Sequence, residues 1–165
     1  MIIVKKPGYL IFKNYKFRCS LGKNGIKYKK KEGDGCTPKG IFKLIKIYYR
    51  KDKIKHLKTK IKKKLISKNI GWCDDPRSKF YNKPIKLPSG FNHEKLYRKD
   101  NLYNIIIVLN YNMKPVIKNK GSAIFMHIAK KNYSPTAGCV ALKKNDLIKL
   151  LEIIKKNTKI KISAA

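Results

Sequence analysis

Two residues near the end of the chain, His127 and Cys139, have side chains suited to covalent catalysis. A cysteine with a histidine beside it is the minimum equipment for attack by a thiol on a carbonyl carbon. A free thiol with a pKa of about 8.5 is only a few per cent thiolate at neutral pH, and a neighbouring imidazole that lowers this pKa makes it more reactive. The pair therefore indicates a thiol nucleophile with a histidine base.

The residue before the cysteine fits the same chemistry. Gly138 permits a positive φ or a close backbone approach next to the sulfur, and the backbone N–H groups of Gly138 and Cys139 could then point at an oxyanion. On residue types alone a second interpretation stays open. A single cysteine is most often a small buried hydrophobe, and a histidine at the end of a strand is often only hydrogen-bonded.

Two segments must position this pair. Residues 122–129 (SAIFMHIA) form an apolar run that predicts a buried strand with His127 near its end. A turn-rich stretch follows, and the chain returns through Thr136 just before Cys139. A strand, a loop of about ten residues and a return can bring the two side chains together.

The remaining patterns predict a β-rich protein. Apolar runs predict strands over residues 2–4, 9–12, 15–21, 41–49, 102–109 and 159–162. Leu147, Leu150 and Leu151 share one face of a helix with Asn145 as its expected N-cap. Residues 51–69 fit either a helix or a lysine-rich loop with a short strand, and residues 71–92 are expected to be loop. We therefore predict one domain over residues 1–165, of α+β class and mainly β, with one C-terminal helix.

The charge is strongly positive: 42 Lys and Arg oppose 9 Asp and Glu, for a net charge of +33. The cations are dispersed, and only four are arginines. This distribution fits an ordinary lysine-covered surface as well as one that attracts polyanions. Base readout in nucleic acids favours arginine, so nucleic acid is the less favoured polyanion.

Several kinds of segment and site are excluded. No apolar run of about 18 residues is present, so no membrane-spanning helix is expected, and the N-terminus has no visible signal peptide. The four cysteines form no C-x-x-C pair and the three histidines add no ligand pattern, so no metal site is expected. The glycine-rich loop at residues 22–40 lacks both common nucleotide-binding patterns.

The segment GSAIFMHIAKKNYSPTAGCVAL resembles the active-site region of the L,D-transpeptidase family, also called the YkuD-like family. That family pairs a histidine on a strand with a downstream Ser/Thr-x-Gly-Cys motif. Upstream, KKEGDGCTPKGIFKL resembles the family's Thr-Pro-x-Gly-x-Phe region, and GKNG, YYRKD, GWCDDP and YNKPI resemble one branch of it. These segments cover most of residues 9–155 in the expected order.

The resemblance implies a fold and a set of roles. The fold is a single-domain L,D-transpeptidase-like β-sandwich or barrel. Cys139 matches the nucleophile and His127 the general base, and the backbone carbonyl of Ile128 matches the group that orients the imidazole. Gly138 matches the glycine before the sulfur, and Thr136 matches the hydroxyl residue of the motif, which is expected to contact substrate.

The resemblance also implies a substrate, the stem peptides of peptidoglycan, and no cofactor. An acyl-enzyme on Cys139 would pass to an amine, giving 3→3 cross-links, or to water, giving L,D-carboxypeptidase activity. Trp72, Tyr81 and Asn82 are expected to line the cleft opposite the thiol. The family implies a periplasmic or cell-envelope enzyme that carbapenems acylate, and the lysine-rich surface would attract an anionic wall polymer.

Two positions depart from the family pattern. Much of the family has His two residues before the cysteine and Arg two residues after it, where this chain has Ala137 and Ala141. The core thiol chemistry is expected to survive, with another cation handling the substrate. The rival class is a non-catalytic, lysine-rich β-domain that binds nucleic acid or another polyanion, which explains the charge but not the order of the motifs.

Overall fold

The alternating and continuous apolar runs of the sequence form strands, as their spacing predicts. The computed structural model describes residues 1–164. In chain order the elements are β1 (Ile2–Lys5), β2 (Tyr9–Phe12), β3 (Tyr15–Ser20), β4 (Ile26–Lys27), β5 (Thr37–Pro38), β6 (Gly40–Tyr49), β7 (Lys63–Leu65), β8 (Ile70–Cys73), β9 (Pro84–Lys86), β10 (His93–Lys95), β11 (Ile105–Leu109), β12 (Phe125–Ile128), β13 (Val140–Leu142), α1 (Lys144–Ile153) and β14 (Lys159–Ser163).

The largest sheet closes on itself. Its hydrogen-bonded order is β11-β12-β13-β3-β2-β1-β14-β6-β7, and β11 also pairs with β6. The long strand β6 makes the closure possible, because its first half pairs with β14 and its second half with β11. The predicted mainly β fold of sandwich or barrel type is therefore confirmed.

Both faces of the sheet are buried where β11, β12 and β13 run side by side. Side chains alternate across the sheet, so Ile105 and Ile107 face the interior of the ring with α1, while Ile106 and Val108 face the opposite way. The continuous apolar sequence of β11 follows from this double burial.

A small second layer covers the outer face. Strands β10, β8 and β9 form a three-stranded sheet, and Trp72 from β8 packs edge-on against Phe125 of β12 at 5.1 Å between ring centroids. The expectation of loop for residues 71–92 was wrong at this point. The two strands that enter this range are short and carry Gly71 and Pro84 inside them, which conceals the strand pattern.

The structure also decides the conformation of residues 51–69 and the start of the helix. Residues 51–69 form no helix: they are a loop that ends in β7. Ile54, Leu57 and Ile61 have helical spacing, but this spacing does not mark a helix. Each of the three side chains inserts into the core from an irregular backbone. Helix α1 begins after Lys143, which makes no side-chain cap bond, so Asn145 is not its N-cap. No helix among residues 1–164 is long and apolar enough to cross a membrane.

Candidate active site

The predicted histidine and cysteine lie at one cleft. Strands β12 and β13 are parallel neighbours, with His127 directly opposite Ala141. Cys139 comes two residues before Ala141, immediately before β13 begins. Both side chains line a cleft of about 490 Å³, a volume that suits a small-molecule or peptide ligand.

The imidazole of His127 is held in one orientation. Its Nδ1 lies 2.9 Å from the carbonyl oxygen of Ile128, and because a carbonyl can only accept, Nδ1 carries the proton and Nε2 keeps its lone pair. The ring packs edge-on against Tyr103 at 5.2 Å between centroids. Burial lowers the pKa of His127 to about 4, so the ring is neutral at pH 7 and can take up a proton.

The sulfur of Cys139 is held by two backbone groups of the neighbouring strand segment. The thiol donates to the carbonyl of Ala123 at 3.3 Å, and the N–H of Phe125 donates to the sulfur at 3.4 Å. Burial raises the pKa of Cys139 to about 12, while the Phe125 N–H and the Lys29 ammonium act in the opposite direction. The resting state at pH 7 is therefore a neutral thiol and a neutral imidazole that line the same cleft.

The turn before the cysteine is fastened by Thr136. Its hydroxyl donates to the Cys139 carbonyl at 2.7 Å and accepts the Gly138 N–H at 3.1 Å. The Gly138 amide is thus occupied and does not point freely at an oxyanion. Gly138 has φ +145°, and a Cβ on it would come within 2.8 Å of the Cys36 carbonyl oxygen. Glycine is therefore required for the chain to pass this point.

The three residues expected to line the cleft lie behind it instead. Trp72, Tyr81 and Asn82 are 3%, 1% and 2% exposed, and none is among the residues that line the cleft. The Asn82 side chain accepts from the Trp72 indole N–H at 3.0 Å and from the Ala123 N–H at 3.1 Å.

Asn82 therefore holds the backbone on which the thiol rests. Its amide also donates to the carbonyls of Tyr111 and Asn112, so both of its polar atoms are fully used. Ala123 has φ +51°, a left-handed conformation that alanine rarely adopts. The hydrogen bond that the Ala123 N–H donates to the Asn82 side chain fixes this residue, and the Ala123 carbonyl in turn accepts a hydrogen bond from the Cys139 thiol.

The cleft also carries charged residues, of which the sequence indicated only Asp74, beside Trp72, as a possible lining residue. Glu32, Asp74 and Glu94 line it, together with His93 and Arg98. Burial raises the pKa of Glu94 and of Asp74. No local signal could show that the group comes together, since its members come from four separate segments of the chain.

Lys29 is a buried cation whose charge lowers the pKa of the Cys139 thiol, against the larger effect of burial. Its side chain is 2% exposed and pairs with Asp34. It lines the same cleft as Cys139. Among residues 1–164 no group of three or more His, Cys, Asp or Glu side chains is placed to hold a metal ion.

A family model supports the interpretation of this geometry. The model of the L,D-transpeptidase catalytic domain, YkuD, matches residues 2–162. The chain belongs to the L,D-transpeptidase family. A search of curated proteins found no match. As a member of the L,D-transpeptidase family, the chain is an enzyme with a peptidoglycan-related function.

Proposed function

We propose that this L,D-transpeptidase family member forms 3→3 cross-links between peptidoglycan stem peptides through an acyl-enzyme on Cys139. The observation that carries the proposal is the placement of Cys139 and His127 at one cleft, with His127 Nδ1 fixed on the Ile128 carbonyl at 2.9 Å. That bond leaves Nε2 as the basic atom.

The first step is acylation. The Cys139 sulfur attacks the carbonyl carbon of the third stem residue, and its proton passes to Nε2 of His127. The tetrahedral intermediate then breaks the bond to the terminal D-Ala, whose nitrogen takes the proton from Nε2. A thioester remains on the sulfur. The Phe125 N–H, which already donates to the sulfur, stabilises negative charge there as the proton leaves.

The second step is transfer. An amine on a neighbouring stem attacks the thioester carbon and gives a proton to Nε2. The carbon–sulfur bond breaks, and the sulfur takes that proton back. Water in place of the amine gives a tripeptide, which is the carboxypeptidase outcome. Both outcomes use the same acyl-enzyme and the same two side chains.

The oxyanion of both steps needs a donor. Because the Gly138 N–H is bound to Thr136, the Cys139 N–H is the remaining donor of the pair that the sequence indicates. Gly138 contributes through its backbone conformation, and Thr136 through the turn it fastens.

The net charge of +33 supports a further part of this proposal, which concerns binding to the cell wall. The family suggests a cell-envelope enzyme, and a lysine-rich surface would hold it near an anionic wall polymer by screened electrostatics. We expect wall binding to fall steeply between low and physiological salt, as a sedimentation assay with isolated walls would show. Binding that does not change with salt would contradict this part of the proposal.

The cross-linking activity is tested with purified disaccharide-tetrapeptides and mass spectrometry of the products. The expected product is a dimer whose fragmentation places the new bond between two third residues, with one D-Ala released per bond. Tripeptide with no dimer would assign the carboxypeptidase reaction instead. Absence of D-Ala release from the wild-type protein would contradict both forms of the proposal.

A further inference from the structure

A second concavity of about 540 Å³ lies next to the cleft, and we call it the side hollow. Its lining includes Lys6, Arg18, Ser20, Lys23 and Tyr133, and it shares Pro135 with the cleft. The residues that line it include three cations and no acid, whereas the cleft is lined by three acids together with three cations, Lys29, Arg98 and Lys130. An anionic ligand therefore fits the side hollow better than the cleft wall.

The floor of the side hollow carries an unused hydroxyl. Ser20 is 4% exposed, and its Oγ has no hydrogen-bond partner within residues 1–164. Leaving a buried hydroxyl unpaired is unfavourable unless a ligand or water completes it. Ser20 is paired across the sheet with Ala141, and Ala141 with His127. Directly paired residues share a face, so this hydroxyl lies in the same row as the proposed catalytic base.

The cation beside that hydroxyl is also unusual. Arg18 comes two residues before Ser20 on β3 and shares its face. The other three arginines each pair with an aspartate, but Arg18 makes no ion pair among the described residues. Its guanidinium lies 4.5 Å from the ring centroid of Tyr133, in the loop between β12 and β13. The stacking holds the guanidinium in place and leaves its N–H groups available.

We infer that the side hollow is a carboxylate-binding subsite, in which the Arg18 guanidinium and the Ser20 hydroxyl donate to a carboxylate of a stem peptide. Identification of the ligand as a stem peptide rests on the proposed function. The planar guanidinium matches a carboxylate with two parallel hydrogen bonds, and the hydroxyl supplies a further donor from the floor. Because Tyr133 and Pro135 belong to the loop that leads to Cys139, a peptide anchored here extends toward the thiol.

The test is a calorimetric titration of the 165-residue chain carrying Cys139→Ala, so that no turnover occurs. The probes are a synthetic stem tetrapeptide with free carboxylates and the same peptide with its carboxylates amidated. We expect Arg18→Gln to weaken binding of the carboxylate peptide about tenfold, and Ser20→Ala to weaken it by a smaller factor. The amidated peptide should bind the parent and the Arg18→Gln protein equally.

Controls separate binding from charge and folding. Lys161→Gln removes one positive charge from an exposed position of β14 that does not line the hollow, and should leave binding unchanged. Ser20→Ala should unfold at the same or a higher temperature, since it removes an unpaired buried hydroxyl.

Two results overturn the subsite: equal losses for Arg18→Gln and Lys161→Gln, or no measurable binding of the carboxylate peptide to the parent. Carbapenem acylation of Cys139 in the wild-type protein shows separately whether the proposed thiol chemistry survives such a result.

Discussion

The cleft and the side hollow have similar volumes, about 490 and 540 Å³, and each borders a buried cysteine. Cys139 is 8% exposed and Cys19 is 5% exposed, and burial raises the pKa of both thiols to about 12. Volume, burial and thiol pKa therefore do not distinguish the two places. They differ in that only the cleft supplies a histidine with a free ring nitrogen, and carboxylates on the facing wall.

Removing each thiol in turn gives the largest expected contrast. Cys139→Ala should reduce D-Ala release from a tetrapeptide by on the order of a thousandfold or more, because the thioester can no longer form. Cys19→Ala, a matched truncation of an equally buried thiol, should keep near wild-type turnover with a small loss of stability. Equal losses of turnover from the two variants, measured on folded protein, would remove the distinction between the cleft and the side hollow.

The two histidines of the cleft sharpen the comparison within the site itself. His93 also lines the cleft, and its Nδ1 lies 2.7 Å from the Phe91 carbonyl, so its geometry imitates that of His127. His127→Gln should slow acylation by about 10²–10⁴-fold, which is the range for loss of a general base. His93→Gln should have a much smaller effect. A larger loss from His93→Gln would assign the base to the facing wall.

A smaller effect on acylation is expected from Asn82, which fixes the backbone that contacts the Cys139 thiol. Asn82→Ala removes the bond that fixes left-handed Ala123, so the carbonyl that accepts the hydrogen bond of the Cys139 thiol is no longer held. We expect acylation to slow about ten- to a hundredfold, as for misplacement of a reacting group. Asn104, which is 5% exposed and makes no bond to Ala123, supplies the matched control Asn104→Ala. If both variants slow acylation equally, Asn82 acts only through general stability.

The buried His127 side chain should also make the stability of the protein depend on pH. Because burial lowers the pKa of His127 from 6.5 to about 4, the unfolded chain binds a proton in this range while the folded chain does not. The contribution of the neutral His127 side chain to the free energy of unfolding is fully present above pH 6.5. It falls by about 3 kcal/mol as the pH drops to 4.

Urea unfolding at a series of pH values measures this fall. His127→Phe should flatten the slope between pH 6.5 and 4, whereas His56→Phe, at an exposed loop position, should not. An unchanged slope in His127→Phe would mean that the acid sensitivity comes from other groups.

The sequence was sufficient where one local pattern decides the structure. The alternating strands of the N-terminal third and the apolar run of β11 form as predicted. His127 and Cys139 meet at one cleft because a strand, a loop and a neighbouring parallel strand join them directly. In both cases the determining residues are close together in the chain.

Features built from distant segments could not be predicted. The acidic wall of the cleft is assembled from separate loops and strands, so no single local pattern shows that its residues come together. Trp72 and Asn82 have side chains typical of substrate contacts, yet tertiary packing turns them inward, where each satisfies the other's hydrogen bond. The start of α1 was misplaced because Lys143, which has no capping side chain, occupies the N-cap.

The most direct test of the central claim is the intact mass of the purified protein after incubation with a carbapenem. We predict one stable adduct on the wild-type and Cys19→Ala proteins and none on Cys139→Ala, since acylation requires the thiol at the cleft with its histidine base. An adduct that persists in Cys139→Ala, or its absence from folded wild-type protein, would contradict the assignment of Cys139 as the nucleophile.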